Sequence, residues 1–333
     1  MSKDSFKVVV VGLGFGQLHC ELIQKTAGLE LSGVCDSDPQ RLSSVAKRFK
    51  IQAFSSLKEV LADPQIKLVV FATPHSEHKA MAIAAMNAKK NVIVEKIMCL
   101  NTKEADAMLQ ARDRNKVMLS VHQNRRFDRD FRTLQGVLEK GVLGKVFLIE
   151  ERIHFYGEWH GWRRERKFGG GLINDWGAHL VDQLLVLNPG QKVKSVFATF
   201  KYKVFKTDVE NHASARLQFS NGNEGLAEVG QLSGMRLPRW YVVGEKGSML
   251  LDETKWASED QQRFEMHTRL GNQDLKSQIG LIQSGWHLYY ENISEHLSRK
   301  AKLAVRPEET RRVVAVIQAA HESARSGRSI RVE

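Results

Sequence analysis

The sequence predicts a doubly wound, parallel α/β domain followed by a second domain of the α+β class with an open, mostly antiparallel sheet. Its 333 residues exceed the usual length of one domain, and 42% of them are hydrophobic, enough for two cores. The first 120 residues alternate short Val- and Ile-rich runs with helix-like stretches, and later residues form longer strand-like runs. We therefore predict domains at residues 1–122 and 123–333.

The strands of the first domain are predicted by short apolar runs rich in β-branched residues, namely Lys7–Val11, Leu29–Val34, Lys67–Phe71, Asn91–Val94 and Val117–Val121. The segments between them are predicted as helices, namely Gln17–Thr26, Pro39–Phe49, Leu57–Ala62, His75–Ala88 and Thr102–Arg114. Pro39 suits the first turn of its helix, and Asn101 or Thr102 suits a helix cap. Strands that alternate with helices predict βαβ units and a parallel sheet.

The second domain is predicted to begin with a helix and a strand, Asp128–Lys140 and Lys145–Ile153, and to continue with a helix at Leu172–Leu187. Several strand-like segments then run from residue 192 to residue 251, with turn signals at residues 221–223 and 245–247. Two further helices, Trp286–Lys300 and Pro307–Ser326, are predicted to close the domain.

Composition excludes several classes of protein. The 50 Lys and Arg residues against 38 Asp and Glu give a net charge of +12, but they are spread along the chain without a nucleic-acid-binding signature, so no nucleic-acid partner is predicted. No apolar run approaches the ~18–20 residues of a membrane helix, and Met1–Lys7 leaves no room for a signal peptide. Cys20, Cys35 and Cys99 lack metal-site spacing, which favours the reducing cytoplasm.

A glycine-rich turn follows the first predicted strand and opens the first predicted helix, with the sequence Gly12-Leu13-Gly14-Phe15-Gly16. Glycines here let backbone N–H groups approach a pyrophosphate at a helix N-terminus, although the spacing is one residue tighter than the usual G-x-G-x-x-G. Asp36 lies 20 residues after Gly16, where a carboxylate would bind ribose hydroxyls and repel a 2′-phosphate. NAD is therefore the predicted cofactor, and NADP is the less favoured one.

Two later segments also reach the carboxyl edge of the predicted sheet, where cofactors bind. Thr73 and Pro74 are predicted to line the nicotinamide side, with His75 and His78 close behind them. His78 is predicted either to reach the cofactor or to pack within its own helix. The pair has no third ligand in the sequence, so no metal is predicted. Glu95 and Lys96 end the next strand.

The strongest signal for chemistry follows a run of three glycines, Gly169–Gly171. Asp175 and His179 are four residues apart and therefore share one face of the predicted helix. A carboxylate beside an imidazole can orient the ring and raise its basicity, as a general base requires. The alternative is an exposed Asp–His pair without function.

Four segments of the sequence resemble the Gfo/Idh/MocA family, named for glucose–fructose oxidoreductase and inositol dehydrogenase. They are the Gly12–Gly16 turn, Ala72–Lys96, His122–Val146 and Gly169–Leu184, and the tail from Tyr290 to Gly327 is also similar. The resemblance implies an N-terminal Rossmann domain and a C-terminal open sheet that forms homodimers or homotetramers. It also implies hydride transfer to NAD, with Lys96, Asp175 and His179 as catalytic residues and His179 as the acid/base.

Two positions depart from the family pattern. Ile97 replaces the proline that usually follows the Glu-Lys pair, so the loop at Lys96 is expected to lack a cis peptide bond. His75 stands where asparagine usually follows Thr-Pro, which is expected to alter a cofactor contact.

Candidate substrate residues lie in a loop before the predicted helix at Leu172–Leu187 and at the start of the second domain. Trp162 and Arg163 could stack on a sugar ring and bind its hydroxyls, or could belong to an interface. Of Arg125 and Arg126, one is expected to touch substrate and the other to form a structural ion pair. Asp182 is expected either to support His179 or to lie on a solvated face.

The predicted function is NAD-dependent oxidation of a secondary hydroxyl of a sugar, a cyclic polyol such as an inositol, or a sugar derivative. One alternative is a redox-assisted glycosidase or lyase, which would oxidise the sugar transiently and show no net cofactor turnover. The other is a regulator that senses a ligand on the same fold. A regulator would be expected to lack Lys96, Asp175 or His179, and all three are present.

Overall fold

A computed structural model describes residues 5–202, 204–235, 237–251 and 262–332. Within these residues the strands are β1 (Phe6–Val11), β2 (Leu29–Cys35), β3 (Gln52–Phe54), β4 (Ile66–Phe71), β5 (Asn91–Val94), β6 (Leu119–Val121), β7 (Val146–His154), β8 (Val193–Lys201), β9 (His212–Phe219), β10 (Glu224–Gly230), β11 (Trp240–Gly244), β12 (Gly247–Leu251), β13 (Arg263–Leu270), β14 (Gln273–Gly280) and β15 (Ile330–Arg331). The helices are α1 (Gly16–Gln24), α2 (Pro39–Phe49), α3 (Leu57–Ala62), α4 (His78–Asn87), α5 (Thr102–Asn115), α6 (Arg129–Glu139), α7 (Leu172–Leu187), α8 (His287–Arg299) and α9 (Pro307–Ser326). In the described part of the chain, no helix combines the length and the apolar character that crossing a membrane requires.

The first six strands form one parallel sheet in the order β3-β2-β1-β4-β5-β6. The order reverses beside β1, which pairs with both β2 and β4. In sheets of this kind, ligands bind at the carboxyl ends of the strands where the order reverses. The predicted Rossmann architecture is confirmed, and its switch point lies directly beneath the Gly12–Gly16 turn.

The burial of its side chains explains whether a strand could be predicted from the sequence. Val8, Val9 and Val10 of β1 are fully buried, as expected for a central strand of a parallel sheet that helices cover on both faces. β3 was missed by the sequence analysis because it is a three-residue edge strand in which Gln52 and Ala53 are exposed. It offers no apolar run to recognise.

The remaining nine strands form a second sheet in the order β14-β13-β12-β11-β7-β10-β9-β8-β15. Its neighbours are antiparallel except β7 and β10, which run parallel, so the predicted mostly antiparallel sheet is confirmed. Helix α7 packs on one face, where a Cβ at Gly225 would lie 3.3 Å from Leu184. Side chains that alternate along β8, β9 and β10 point to the opposite face.

The chain divides into two compact units, which differ from the two predicted domains. Unit 1 contains Met1–Asn124 and Gly285–Val314, and unit 2 contains Arg125–Ser284 and Ala315–Glu333. The first crossing, between Asn124 and Arg125, lies two residues after the boundary predicted at residues 122–123, and residues 285–314 belong to unit 1. Tyr290 of α8 hydrogen-bonds His19 of α1, a contact over 271 positions that no local pattern reveals.

Candidate active site

The three glycines of the turn after β1 have three different surroundings. Gly12 has φ +87°, and a Cβ there would lie 2.7 Å from the carbonyl oxygen of Ala72. A Cβ on Gly14 would meet nothing within 4 Å, whereas one on Gly16 would lie 3.0 Å from Val10. These are the requirements of a dinucleotide site: a tight turn, open backbone for the pyrophosphate, and close helix–strand packing. The turn therefore fits a bound dinucleotide, with Phe15 40% exposed beside it.

Asp36, which follows the last residue of β2, ties the glycine turn to its sheet. Its Oδ2 accepts a hydrogen bond of 2.6 Å from the Leu13 N–H, and its Oδ1 accepts one of 2.8 Å from the Asp38 N–H. The Arg41 guanidinium lies 3.4 Å from Oδ2. Each carboxylate oxygen has a further lone pair, so the side chain can still accept a ribose hydroxyl.

Both ring nitrogens of His78 face backbone carbonyl oxygens, and a neutral ring can donate to only one of them. Its Nδ1 lies 2.8 Å from the Ile97 carbonyl oxygen and its Nε2 lies 3.1 Å from that of Thr73. Burial lowers the pKa of His78, so the neutral ring carries one N–H. The geometry favours the packing alternative for this residue, and His78 thereby fixes the segment that contains Thr73, Pro74 and His75. Direct contact of these three with a cofactor stays a prediction.

The peptide bond between Lys96 and Ile97 is cis, although residue 97 is not proline. The expectation that this loop lacks a cis bond was therefore wrong, because residue type alone does not determine this bond. Ile97 is buried, and its carbonyl oxygen accepts the hydrogen bond from His78, so the surrounding fold holds this segment.

Glu95 is buried in unit 1 rather than placed on an open edge of the sheet. Its Oε1 lies 2.9 Å from Nε2 of His19 and 2.5 Å from Nδ1 of His122. Burial alone would raise the pKa of Glu95, but the imidazoles of His122 and His19 outweigh it and hold the pKa well below the usual range. Both histidines escaped the sequence analysis, since they stand far from Glu95 along the chain. Contact of Glu95 with a cofactor stays a prediction.

The N-terminus of α7 in unit 2 is held by a residue that the sequence analysis also missed. Glu210 accepts a 2.8 Å hydrogen bond from the Ile173 N–H, and a Cβ on Gly171 would lie 2.7 Å from its Oε1. Burial raises the pKa of Glu210 to about 7, although the Ile173 N–H partly opposes this shift. A carboxylate at this position interacts favourably with the helix dipole. Glycine at position 171 leaves the room that Glu210 occupies.

Asp175 and His179 lie one turn apart on the buried face of α7. They are 4% and 5% exposed, which excludes the alternative of an exposed pair. The Nε of Arg163 donates a 3.1 Å hydrogen bond to Oδ2 of Asp175. The rings of Trp176 and His179 pack in a T-shaped arrangement, with ring centroids 6.0 Å apart. Arg163 thus holds the Asp175 carboxylate, and Trp176 packs against the His179 imidazole.

The predicted substrate residues gather around the first half of α7. The Arg163 guanidinium lies 4.8 Å from the ring centroid of Trp162. Arg125 lies 4.2 Å from the ring centroid of Trp176 and forms a 2.8 Å ion pair with Asp128. Unit 2 therefore brings Arg125, Trp162 and Arg163 close to the residues of the Asp175–His179 face.

Asp182 accepts two hydrogen bonds of 2.7 Å from Arg126, and both side chains are buried. Both neighbouring arginines form ion pairs, and the pair of Arg126 with Asp182 is the more buried one; contact of Arg125 with substrate stays a prediction. Of the two expectations for Asp182, the solvated face was wrong, because the side chain is buried and pairs with Arg126. Support of His179 by Asp182 stays a prediction. This paired geometry holds the start of unit 2 against the helix.

The parallel sheet and the glycine turn define a dinucleotide-binding unit, and the second unit carries the buried Asp175–His179 pair. Residues 6–123 match the oxidoreductase family with an NAD-binding Rossmann fold, and residues 131–250 match the GFO/IDH/MocA C-terminal domain. The chain belongs to the Gfo/Idh/MocA family and is an NAD(P)-dependent oxidoreductase.

Individual relatives agree with this assignment. The NADP-dependent scyllo-inositol 2-dehydrogenase of Bacillus subtilis is 25% identical, over 99% of this chain and 97% of the relative. The myo-inositol 2-dehydrogenase of Thermotoga maritima is 26% identical, over 75% and 76%. A solved NAD-binding protein from Listeria innocua is 28% identical, with a TM-score of 0.88 over 99% of this chain and 100% of that one.

Proposed function

We propose that this protein oxidises a secondary hydroxyl of a neutral cyclic polyol or sugar. The observation that carries the proposal is the buried Asp175–His179 face of α7 with Arg163 hydrogen-bonded to Asp175. The names of relatives that act on inositols support the substrate class. A bound nicotinamide dinucleotide would supply the hydride acceptor.

The roles of the chain's own residues follow from their chemistry. His179 takes the hydroxyl proton, because an imidazole is the side chain best matched to proton transfer near neutral pH. Asp175 orients the substrate hydroxyl and the His179 ring. The Lys96 ammonium stabilises the negative charge that develops on the substrate oxygen as the proton leaves. The family resemblance of the motifs that contain Lys96, Asp175 and His179 supports these assignments.

A neutral substrate is favoured by the charge balance of the loop before α7. The loop is rich in cations, and three of them lie at salt-bridge distance from carboxylates. The pairs are Arg163 with Asp175 at 3.1 Å, Arg164 with Glu158 at 2.8 Å and Lys167 with Glu165 at 2.7 Å. A uronate or sugar phosphate would have to break such pairs, whereas the hydroxyls of a polyol can join them.

The test is the production of reduced nicotinamide by the purified protein with inositols, aldoses, uronates, sugar phosphates and glycosides. We expect turnover with neutral polyols or sugars, and a lower kcat/KM for the anionic compounds. A preference for uronates or phosphates would overturn the neutral class. Cleavage of a glycoside without net nicotinamide reduction would replace the dehydrogenase with the redox-assisted reaction.

We also propose NAD as the preferred cofactor. The Asp36 carboxylate is fixed by the N–H groups of Leu13 and Asp38, so its charge cannot easily move away from a 2′-phosphate. Arg41, 3.4 Å from Asp36, is the nearby cation that would favour NADP instead. We expect Asp36→Ser to lower the ratio of kcat/KM for NAD over NADP at least about tenfold. Arg41→Ala is the matched control and should raise that ratio; a wild-type ratio above one for NADP would contradict the proposal.

We propose further that the protein forms homodimers or homotetramers through the face of the second sheet opposite α7. Phe197 is 46% exposed there, and Tyr241 is 37% exposed. Charges of both signs lie between them, with Arg152 2.6 Å from Glu150 and 3.8 Å from Glu228. Aromatic side chains with alternating charges suit a self-complementary surface.

A cytoplasmic location is proposed from the cysteines. Cys20, Cys35 and Cys99 are buried and free of disulfides. Burial raises the pKa of Cys20 and of Cys99 to about 12, so these thiols stay protonated. Nothing in their arrangement calls for an oxidising compartment.

A further inference from the structure

His19, Glu95, His122 and Tyr290 form a buried cluster in unit 1. Its member Glu95 directly precedes Lys96 in the sequence. Glu95 is 7% exposed, and the other three side chains are fully buried. The four residues come from α1, from the segments that follow β5 and β6, and from α8. Buried polar groups are costly unless they are hydrogen-bonded, so this cluster must be held together by specific bonds.

The hydrogen bonds place a proton on each histidine nitrogen that faces Glu95. Glu95 Oε1 accepts from Nε2–H of His19 at 2.9 Å and from Nδ1–H of His122 at 2.5 Å. With its proton on Nε2, the neutral ring of His19 can accept at Nδ1 from the Tyr290 hydroxyl, 2.5 Å away. One arrangement thus satisfies all three contacts, and it requires Glu95 to be ionised.

The second oxygen of the same carboxylate connects the cluster to Lys96. Glu95 Oε2 accepts from the backbone N–H of Lys96 at 3.2 Å. Because α1 begins at Gly16, the contact with His19 links the Lys96 backbone to the helix that follows the glycine turn. The contact with His122 links it to the end of β6 as well.

We propose that Glu95 is a positioning residue that holds the Lys96 backbone in register with α1, and that His19 and His122 lock its carboxylate in place. The inference rests on the proposed role of Lys96. It differs from a cofactor-binding role for Glu95, since the carboxylate is directed to protein groups on both oxygens. Displacement of a catalytic group by about 1 Å can cost about 100-fold in rate, so such a lock matters for kcat.

A metal ion is the competing occupant of this cluster. The ligand atoms of His19, Glu95 and His122 lie within 4.8 Å of one another. However, the ionised Glu95 carboxylate can only accept, so its contacts of 2.9 Å and 2.5 Å place the protons of the neutral rings on Nε2 of His19 and Nδ1 of His122, the atoms that would have to bind the metal. The same atoms cannot donate to Glu95 and ligate a cation, so the hydrogen-bonded arrangement is favoured.

The test compares substitutions that keep or remove each donor. Asn at position 122 can place an N–H near the Nδ1 position of histidine, and Gln at position 19 can place one near the Nε2 position. We expect His122→Leu and His19→Leu to lower kcat about 30- to 100-fold, with the Kd for NAD within about threefold of wild type. His122→Asn and His19→Gln should restore most of kcat. Thermal unfolding of every variant identifies any loss that comes from unfolding alone.

Glu95→Asp keeps the charge but withdraws the carboxylate by one methylene, and it serves if a leucine variant does not fold. It should also lower kcat while leaving the Kd for NAD nearly unchanged. Wild-type kcat in the folded leucine or aspartate variants would overturn the inference. So would an Asn or Gln variant as slow as its leucine counterpart, or one bound metal ion per chain in the purified protein.

Lys96→Ala and His179→Ala separate this inference from the proposed function. If both abolish turnover while the Glu95 cluster variants act like wild type, only the positioning inference fails. If both retain turnover, the proposed chemistry itself fails.

Discussion

At the scale of single residues, Gly12, Gly14 and Gly16 show that one motif can combine three physical demands. The first glycine is required by the backbone, since its φ of +87° and the carbonyl of Ala72 exclude a side chain. The third is required by packing against Val10. A Cβ on Gly14 would meet no protein atom, so a bound ligand is what explains the small size of this residue. This difference can be measured.

Substitution of Gly12 and Gly14 by alanine should separate folding from cofactor binding. Gly12→Ala should lower the free energy of unfolding by about 2–4 kcal/mol, from the left-handed backbone and the 2.7 Å clash. Gly14→Ala should change stability by less than about 0.5 kcal/mol. It should nonetheless raise the Kd for NAD at least about tenfold, because the new methyl group occupies the approach of the pyrophosphate. Denaturant unfolding and titration calorimetry are the measurements; unchanged NAD binding in Gly14→Ala would argue against this site.

The role of His179 is also a single-residue question. His179→Ala should lower kcat at least about 100-fold, because a positioned base contributes about that much or more. The Kd for NAD should stay within about threefold of the wild-type value, because the glycine turn belongs to the other unit. Steady-state kinetics and cofactor titration check both values. Full activity in this variant would remove His179 from the mechanism.

At the scale of elements, α7 combines a dedicated N-terminal contact with a buried ion pair. Glu210 accepts a hydrogen bond from the Ile173 N–H at one end, and Arg126 binds Asp182 nine residues further along the helix. Between these contacts lie Asp175 and His179, whose positions depend on the orientation of the helix. The helix therefore acts as a rigid carrier for the two proposed catalytic groups.

Glu210 predicts a specific pH dependence of stability. Its pKa of about 7 in the folded protein lies above the 4.5 of an unperturbed glutamate, so the stability it contributes is complete below about pH 4.5 and is lost as the pH rises through 7. The loss corresponds to about 3 kcal/mol. Glu210→Gln cannot ionise and should lack this component. Denaturant unfolding at pH 5 and pH 8 should therefore show that wild type loses stability relative to Glu210→Gln as the pH rises. If the free energies of unfolding of the two proteins differ by the same amount at both pH values, the raised pKa of Glu210 is contradicted.

At the scale of the whole molecule, the two sheets differ in how their faces are covered. The parallel sheet of unit 1 buries its central strands on both faces. The nine-stranded sheet of unit 2 is covered by α7 on one face, and the opposite face exposes Phe197 and Tyr241 among charged residues. Exposed aromatic residues on a wide sheet are typical of an association surface.

Disruption of that face should change the oligomeric state. Phe197→Asp combined with Tyr241→Asp should convert the oligomer to a monomer, because it places charges where aromatic side chains would be buried. Val142→Asp is the matched control, since Val142 is also exposed, at 39%, but lies outside the sheet in the segment between α6 and β7. Light scattering coupled to size exclusion measures the mass. A monomeric wild type at micromolar concentration would refute the proposed assembly.

Local signals predicted much of the fold. The bounds of α2, α3, α7, α9 and β5 agree with the sequence prediction. Asp38 caps α2 and Asn101 caps α5 with side-chain hydrogen bonds, and Pro39 occupies the first turn of α2. These features act within a few residues, so they can be read directly. The glycine turn and the i, i+4 pair of Asp175 and His179 belong to the same kind of signal.

The two-sheet architecture, the dinucleotide turn and the i, i+4 pair of Asp175 and His179 could thus be predicted from the sequence, because each depends on short-range patterns of apolar, glycine and charged residues. The role of Lys96 was predicted from the family resemblance. Which buried groups support these features depends on the tertiary structure. His19 with Glu95 spans 76 positions, Ile173 with Glu210 spans 37, and Arg126 with Asp182 spans 56. The return of residues 285–314 to unit 1 is of the same kind. Such partners are chosen by the packing of distant elements, and their energies come from burial that exists only once the chain has folded.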